Sequence, residues 1–318
     1  MTSEYRHIPV LSTECLDVLA IEEGTVHLDA TLGFAGHAVL AARQLGSSGL
    51  LLGIDQDAVA REEATERLYG LPEASRPAIK VLAGNFGDMD ELLLSVPVPG
   101  IHTVLFDLGV SSVQLDTPSR GFSYKEGAPL DMRMDPGTQT LTAQEVINTY
   151  NAADLARIIR TNSDERWASR IADFIVRQRE EGPITTSDQL VEVIKAAIPA
   201  AGRRSGGHPA KRTFQALRIH VNSELDVLRQ GLDAAIRWLE PGGRIAVISY
   251  HSLEDRIVKE TFASFTDRCT CPPDLPVCAC GREPILELGT RKPIVPTAAE
   301  VERNPRARSA KLRWAFKR

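Results

Sequence analysis

The chain is poor in aromatic residues and has no overall positive charge. Phe, Trp and Tyr make up 5% of its 318 residues, and 42 acids against 37 Lys and Arg leave a net charge of −5. Proteins that coat nucleic acid over a broad surface are basic, so any grip on a polyanion here must come from local patches. No apolar run approaches the roughly 18 residues a membrane helix needs. The opening stretch MTSEYRHIPVLSTECLDVL has no basic segment leading into an apolar one, which excludes a secretion-signal pattern there and makes the cytoplasm the expected location. Cysteine is scarce: there are five, of which Cys15 stands alone and four fall in CTCPPDLPVCACG at 269–281. So few, so clustered, do not make a disulfide framework.

What is present is an alternation of apolar runs and helical patterns. TVHLDATLG (25–33), GLLLGIDQD (49–57), AIKVLAGNF (78–86) and HTVLFDLGV (102–110) read as buried strands, each ending at Asp, Asn or Gly. Helical spacing fills the gaps between them. This order predicts a parallel sheet with right-handed crossovers, in which ligands bind at the carboxyl ends of the strands. From about residue 114 the pattern changes to a long Gly- and Pro-rich stretch followed by helices alone. We therefore expect a helical insertion over 114–213, dividing an α/β domain into 1–113 and 214–318. TFQALRIHVNSELDVLRQGLDAAIRWLEPGG reads as one long helix stopped at Pro241-Gly242-Gly243, RIAVISY as the next strand, and AKLRWAF as a closing strand.

The chemistry concentrates in HLDATLGFAGHAVLAARQLGSSGLLLGIDQD, residues 27–57. Gly33 and Gly36 let the chain turn tightly and bring backbone N–H groups to a ligand. Asp55 ends the second strand, where a carboxylate accepts both hydroxyls of a ribose. NAD, FAD and S-adenosylmethionine all carry that ribose. A dinucleotide site needs G-x-G-x-x-G to admit a pyrophosphate, whereas this run is G-F-A-G-H with Ala35 in the middle, which favours S-adenosylmethionine. Asp107 ends the fourth strand on the same edge, placed to meet an ammonium or an amine, or to cap the loop that follows it. Two stretches, 203–218 and 303–318, hold several Arg and Lys and no acid. Each is either a solvated face or a grip on phosphates.

The motifs TLGFAGH, FDLGVSSVQLD, GFSY, PLDMRMD, RTFQALRIHVNSEL, LEPGGRIAVISYHSLEDRIVK and NPRARSAKLR together resemble the RsmH (MraW) family over nearly the whole chain. The resemblance implies a Rossmann-like class I S-adenosylmethionine-dependent methyltransferase fold with an inserted helical domain for substrate recognition. It also implies methylation of the N4 amine of a cytidine in 16S ribosomal RNA, with the small ribosomal subunit as partner. Carried over residue by residue, the cofactor contacts fall on Ala35, Gly36, His37, Asp55, Phe86, Asp107 and Gln114. The family's usual Gly-Gly-His is Ala35-Gly36-His37 here, and a methyl group fits Ala35 without strain only at negative φ.

Methyl transfer is an in-line displacement in which positioning does much of the work. Acceptors for the amine hydrogens are Asp107 and the loop SYHS (249–252), where His251 either shuttles a proton or caps the following helix. Lys211, Arg212 and Arg218 are placed to hold phosphates beside the target nucleotide. Cys269, Cys271, Cys278 and Cys280 form two C-x-C pairs, four thiolates for one structural zinc or a reduced metal-free loop. A nicotinamide dehydrogenase and a non-catalytic RNA-binding assembly factor are the rival classes. The oligomeric state is left open, a homodimer among the options.

Overall fold

The computed structural model describes residues 9–124, 127–203, 207–266 and 283–318; the four clustered cysteines lie outside them. Seven strands form one sheet: β1 (Val26–Asp29), β2 (Leu50–Asp55), β3 (Ala78–Ala83), β4 (Ile101–Asp107), β5 (Leu239–Ser249), β6 (Leu286–Leu288) and β7 (Lys311–Lys317), in the order β3-β2-β1-β4-β5-β7-β6. The first five run parallel, while β7 runs antiparallel to both β5 and β6. Because helices cover both faces, successive residues of a strand feed opposite cores. Leu52, Ile54, Val104, Phe106 and Val247 pack on one side with Leu232, Ile236 and Ile257. Leu51, Leu105, Ala246 and Ile248 pack on the other with Leu32, Ala38 and Ala42. Two buried faces are what make these strands continuous apolar runs in the sequence. The Rossmann-like reading is therefore correct in kind, with β6 as an element that the sequence reading did not contain.

Two compact units make up the chain, Met1–Gly109 with Leu225–Arg318, and Val110–Glu224. The second is helical. Its main helices, Ala143–Thr149, Ala152–Ser163, Ala168–Glu181, Ser187–Ala197 and Lys211–Val221, surround a core that includes Ile147, Leu155, Ile159, Ile171, Ile175, Leu190, Ile194 and Leu217. Their starts are written locally: Thr142 accepts from the N–H of Glu145, Asn151 from that of Asp154, and Thr186 forms a capping box with Gln189.

The single helix expected through 213–243 is two, Lys211–Val221 and Glu224–Trp238. The break falls at Asn222-Ser223, where Ser223 has φ +50°. Asn222 is buried, and its amide donates to the carbonyls of Met132 and Arg218 while accepting from the N–H of Met134 and the side chain of Gln139. Holding the loop 130–139 in this way takes Asn222 out of the helix. The first of the two helices buries Phe214, Ala216, Leu217 and Val221 in the insertion's core, so that unit reaches Glu224 rather than residue 213.

Pro241-Gly242-Gly243 does not end the second helix either. It lies inside β5, with Gly242 at φ +82°, and the helix stops at Trp238. The terminal carbonyls of Ile236, Arg237 and Leu239 accept from the ammonium of Lys317, a cation placed at the negative end of a helix.

Candidate active site

Three carboxyls stand at the carboxyl ends of three neighbouring parallel strands: Asp55 on β2, Asp29 on β1 and Asp107 on β4. Strand order reverses between β1 and β4, the place where open α/β sheets bind ligands. Asp29 is only 2% exposed, and its Oδ1 accepts from the N–H of Thr31 at 3.1 Å. Burial, opposed by that N–H and reinforced by the charges of Asp107 and Asp55, lifts its pKa to about 7. The sequence reading passed over Asp29, although an acid closing a fully buried strand is itself a signal of use.

Asp55 organises the turn. Its Oδ2 accepts from the N–H of Gly33 at 2.7 Å, with Gly33 at φ +48°, and its Oδ1 accepts from the N–H of Asp57 at 2.8 Å. Each ionised oxygen accepts more than one hydrogen bond, so both can still take a hydroxyl. Burial raises the pKa of Asp55, and the two N–H donors hold it back.

Ala35 departs from the expectation of negative φ. It sits at φ +57°, fully buried, immediately before Gly36 opens the helix Gly36–Leu45. Its N–H closes the turn onto the carbonyl of Leu32 at 2.8 Å, and its own carbonyl accepts from Val39. This geometry dictates the left-handed conformation, at about 1–2 kcal/mol for a residue with a Cβ.

His37 follows in the first turn of that helix. Burial lowers its pKa to about 4, against the effect of a hydrogen bond to the backbone of Val10, so the ring is neutral at pH 7. Its Nε2 is buried without a hydrogen-bond partner, 3.6 Å from Oδ2 of Asp107. With the proton on the Val10 side, two acceptors face each other, an arrangement completed by a donor with N–H hydrogens or by a cation.

Asp107 is fixed from two other directions. Its N–H donates to Oγ1 of Thr31 at 2.6 Å, and its Oδ1 accepts from the phenol of Tyr250 at 2.7 Å. Burial and then the neighbouring Asp107 push the Tyr250 phenol well above its ordinary pKa, so it stays a donor. Of the loop SYHS, the side chain that meets Asp107 is thus Tyr250. His251 serves the helix Ser252–Thr266: its Nδ1 accepts from the N–H of Glu254, whose carboxylate accepts from the backbone of Tyr250 and His251.

The remaining site expectations divide. Phe86 follows β3 and is half-buried, packed edge-on to Phe106 at 5.4 Å and against Gly231, where a Cβ would stand 2.6 Å from the ring. Gln114 lies in the helical unit, where its Oε1 accepts from the N–H of Ser111. Lys211 and Arg212 are exposed at the start of the helix Lys211–Val221. Arg218 is not presented as a phosphate grip: it is 15% exposed and forks onto Glu224 with two bonds of 2.8 Å. In the basic stretch 303–318 the last four cations are committed within the chain, while Arg303, Arg306 and Arg308 are exposed. Lys311 and Arg313 pair with Asp255, Lys317 caps a helix, and Arg318 meets Glu287.

The model of the MraW methylase family matches residues 4–318. The chain belongs to the MraW methylase family. It is 51% identical over 313 residues to a ribosomal RNA small subunit methyltransferase H from Symbiobacterium thermophilum, covering 98% of this chain and 97% of that one. A protein of the same description from Paenibacillus sp. is 50% identical over 319 residues, covering 98% and 99%. Among solved structures, an rRNA methylase from Streptococcus thermophilus aligns at a TM-score of 0.40 and 11% identity over 96% of this chain and 93% of that one.

Not every family motif carries chemistry. In PLDMRMD, Asp131 binds the backbone and guanidinium of Arg133, while the carbonyl of Met132 and the N–H of Met134 are held by Asn222 of RTFQALRIHVNSEL. Those two motifs are one structural joint. No helix among the described residues is long and apolar enough to cross a membrane.

Proposed function

We propose that this methylase transfers the methyl group of S-adenosylmethionine to the N4 amine of a cytidine in small-subunit ribosomal RNA, in the cytoplasm. The observation that supports the reading is the set of three carboxyls at the ends of β2, β1 and β4, beside an orphaned His37 nitrogen 3.6 Å from Asp107. Three acids repel a pyrophosphate and attract a cation, so the donor set fits a sulfonium cofactor and not a dinucleotide. When bound, S-adenosylmethionine supplies a methyl group on a positively charged sulfur.

The chain's own residues do the rest. Asp55, pinned by Gly33 and Asp57, receives the ribose hydroxyls, and Ala35, Gly36 and His37 shape the turn around them. Phe86, braced by Phe106, offers its remaining ring surface to the adenine. Asp107 and His37 would accept the amine hydrogens and so draw the N4 lone pair out of conjugation with the ring, leaving it available for the methyl group that bound S-adenosylmethionine would supply. Nε2 of His37, neutral at pH 7, takes the proton that the amine gives up. Holding both reactants in line is the main source of rate. The insertion recognises the RNA, with Lys211 and Arg212 on its phosphates. On sequence grounds, Cys269, Cys271, Cys278 and Cys280 hold one structural zinc; about one zinc per chain in protein purified without chelator is expected, and a metal-free protein overturns that part.

The deciding test incubates the protein with methyl-labelled S-adenosylmethionine and small ribosomal subunits, then digests the RNA to nucleosides. Label in N4-methylcytidine is expected, and its loss in Asp107→Asn while RNA still binds. Label in another nucleoside, in protein, or nowhere overturns the reading.

A further inference from the structure

The helical unit presents an exposed aromatic ring and a run of arginines that stay exposed beside their partners within the unit. Tyr124 is 41% exposed, the largest exposure of any aromatic of this unit. Its ring is nonetheless fixed: it stacks on His208 with centroids 4.3 Å apart and planes 7° from parallel, and Phe214 meets it edge-on at 6.0 Å. Burial lowers the pKa of His208, assisted by Lys195, which favours its neutral ring. A large ring held rigid and left in solvent is a stacking surface formed before any ligand arrives.

Phe214 belongs to the helix Lys211–Val221, and the cations begin at that helix's first residues. Arg212 is 55% exposed and lies 3.6 Å from Glu165, a buried acid that also accepts from the N–H of Trp167. Next to Glu165, the guanidinium of Arg166 lies over the ring of Trp167 at 5.1 Å. Arg170 lies over Phe174 at 5.2 Å, and Arg160 donates to Ser169, the neighbour of Arg170. Among the described residues, neither Arg166 nor Arg170 has a carboxylate partner. Four exposed arginines, Arg160, Arg166, Arg170 and Arg212, thus lie along these segments with three acids, Asp164, Asp173 and the already engaged Glu165, in a chain whose net charge is −5.

We propose that this strip, from Tyr124 and His208 through Arg212 to Arg166, Arg170 and Arg160, is a docking surface for single-stranded RNA: an unpaired base stacks on Tyr124 and the cations take the phosphates that follow. The aromatic surface selects unpaired nucleotides, because a base in a duplex has no free face. Guanidiniums parked on aromatic rings keep their in-plane donors turned outward, the geometry that phosphate oxygens accept. The strip deepens the function proposed above and rests on it for the identity of the polyanion.

The test measures binding of the full chain to a fluorescent single-stranded RNA and to its fully paired duplex across a salt series. Tyr124→Ala should weaken single-strand binding about tenfold, with Tyr124→Phe as wild type. Arg166→Ala, Arg170→Ala and Arg212→Ala combined should reduce the slope of log affinity against log salt by about 2 to 3. S-adenosylmethionine affinity, measured on the same samples, should be unchanged in all of them. A wild-type slope in the triple variant, or undiminished single-strand binding by Tyr124→Ala, overturns the strip. A wild-type chain that binds RNA in this way but methylates no cytidine overturns the function and leaves the strip standing.

Discussion

The phenol of Tyr250 donates to Oδ1 of Asp107 over 2.7 Å, and so sets the carboxylate plane that turns Oδ2 towards His37. A hydrogen bond to a charged group contributes about 1.5–3 kcal/mol. Tyr250→Phe keeps the ring and removes the tether. We expect kcat/KM for methyl transfer by the folded variant to fall about tenfold, alongside a lower melting temperature from the lost bond. Wild-type kcat/KM in this variant would take Tyr250 out of the active site.

Asp55 holds the glycine turn through the N–H groups of Gly33 and Asp57. Asp55→Asn leaves an oxygen for only one of these and loses the charge. S-adenosylmethionine binding should weaken by about 1.5–3 kcal/mol, measured by titration calorimetry on the folded variant. Undiminished affinity would mean that the carboxylate serves the turn alone.

The pKa of Asp29 stands near 7 in the folded protein against an ordinary 3.8. Between these values the folded state holds a proton that the unfolded state has lost, so this residue's effect on stability becomes unfavourable as pH rises from about 4 to about 7 and stays so above. Asp29→Asn should melt higher than wild type above pH 7 and equally near pH 4. A bound sulfonium favours the ionised carboxylate, so wild-type affinity for S-adenosylmethionine should decline as pH falls below about 7, and the variant should lose that dependence. Parallel pH profiles for the two proteins would show that Asp29 does not titrate there.

Gly121, in the motif GFSY, has φ +74°, and a Cβ there would strike the carbonyl oxygen of Pro129 and come within 2.7 Å of the N–H of Asp131. Both are backbone atoms with little room to yield. Gly121→Ala should destabilise the helical unit by about 3 kcal/mol or more, seen as a lower denaturation midpoint. A change below about 1 kcal/mol would mean that the 121–131 loop yields easily.

The strand ends were legible because burial on both faces makes the inner residues of β1, β2, β4 and β5 mainly apolar, each strand being closed by a polar residue. Asp55 and Asp107 could be read from those ends. Asp29 closes its strand in the same way, but its burial comes from the flanking strands β2 and β4 and is not visible in the local sequence. Helix continuity through Asn222 could not be judged locally, since the break is made by a loop some 90 positions earlier in the chain. The end of the basic stretch, 311–318, could not be judged locally for a similar reason. Charge is visible in the sequence, but the partners that absorb it, Asp255, Glu287 and a helix end, are remote in sequence. Tyr250 lay in a loop already singled out, and only its reach to Asp107 decided between it and His251.

β7 enters the sheet between β5 and β6 although it is the last strand in chain order. On the ribosome, 110–224 emerges as one uninterrupted stretch and can close its own core at once. The sheet must meanwhile wait with β5 unflanked on one side until 311–317 have been translated. The half-built sheet offers an open strand edge throughout that interval, the stage of synthesis at which this fold is most exposed to edge-to-edge pairing.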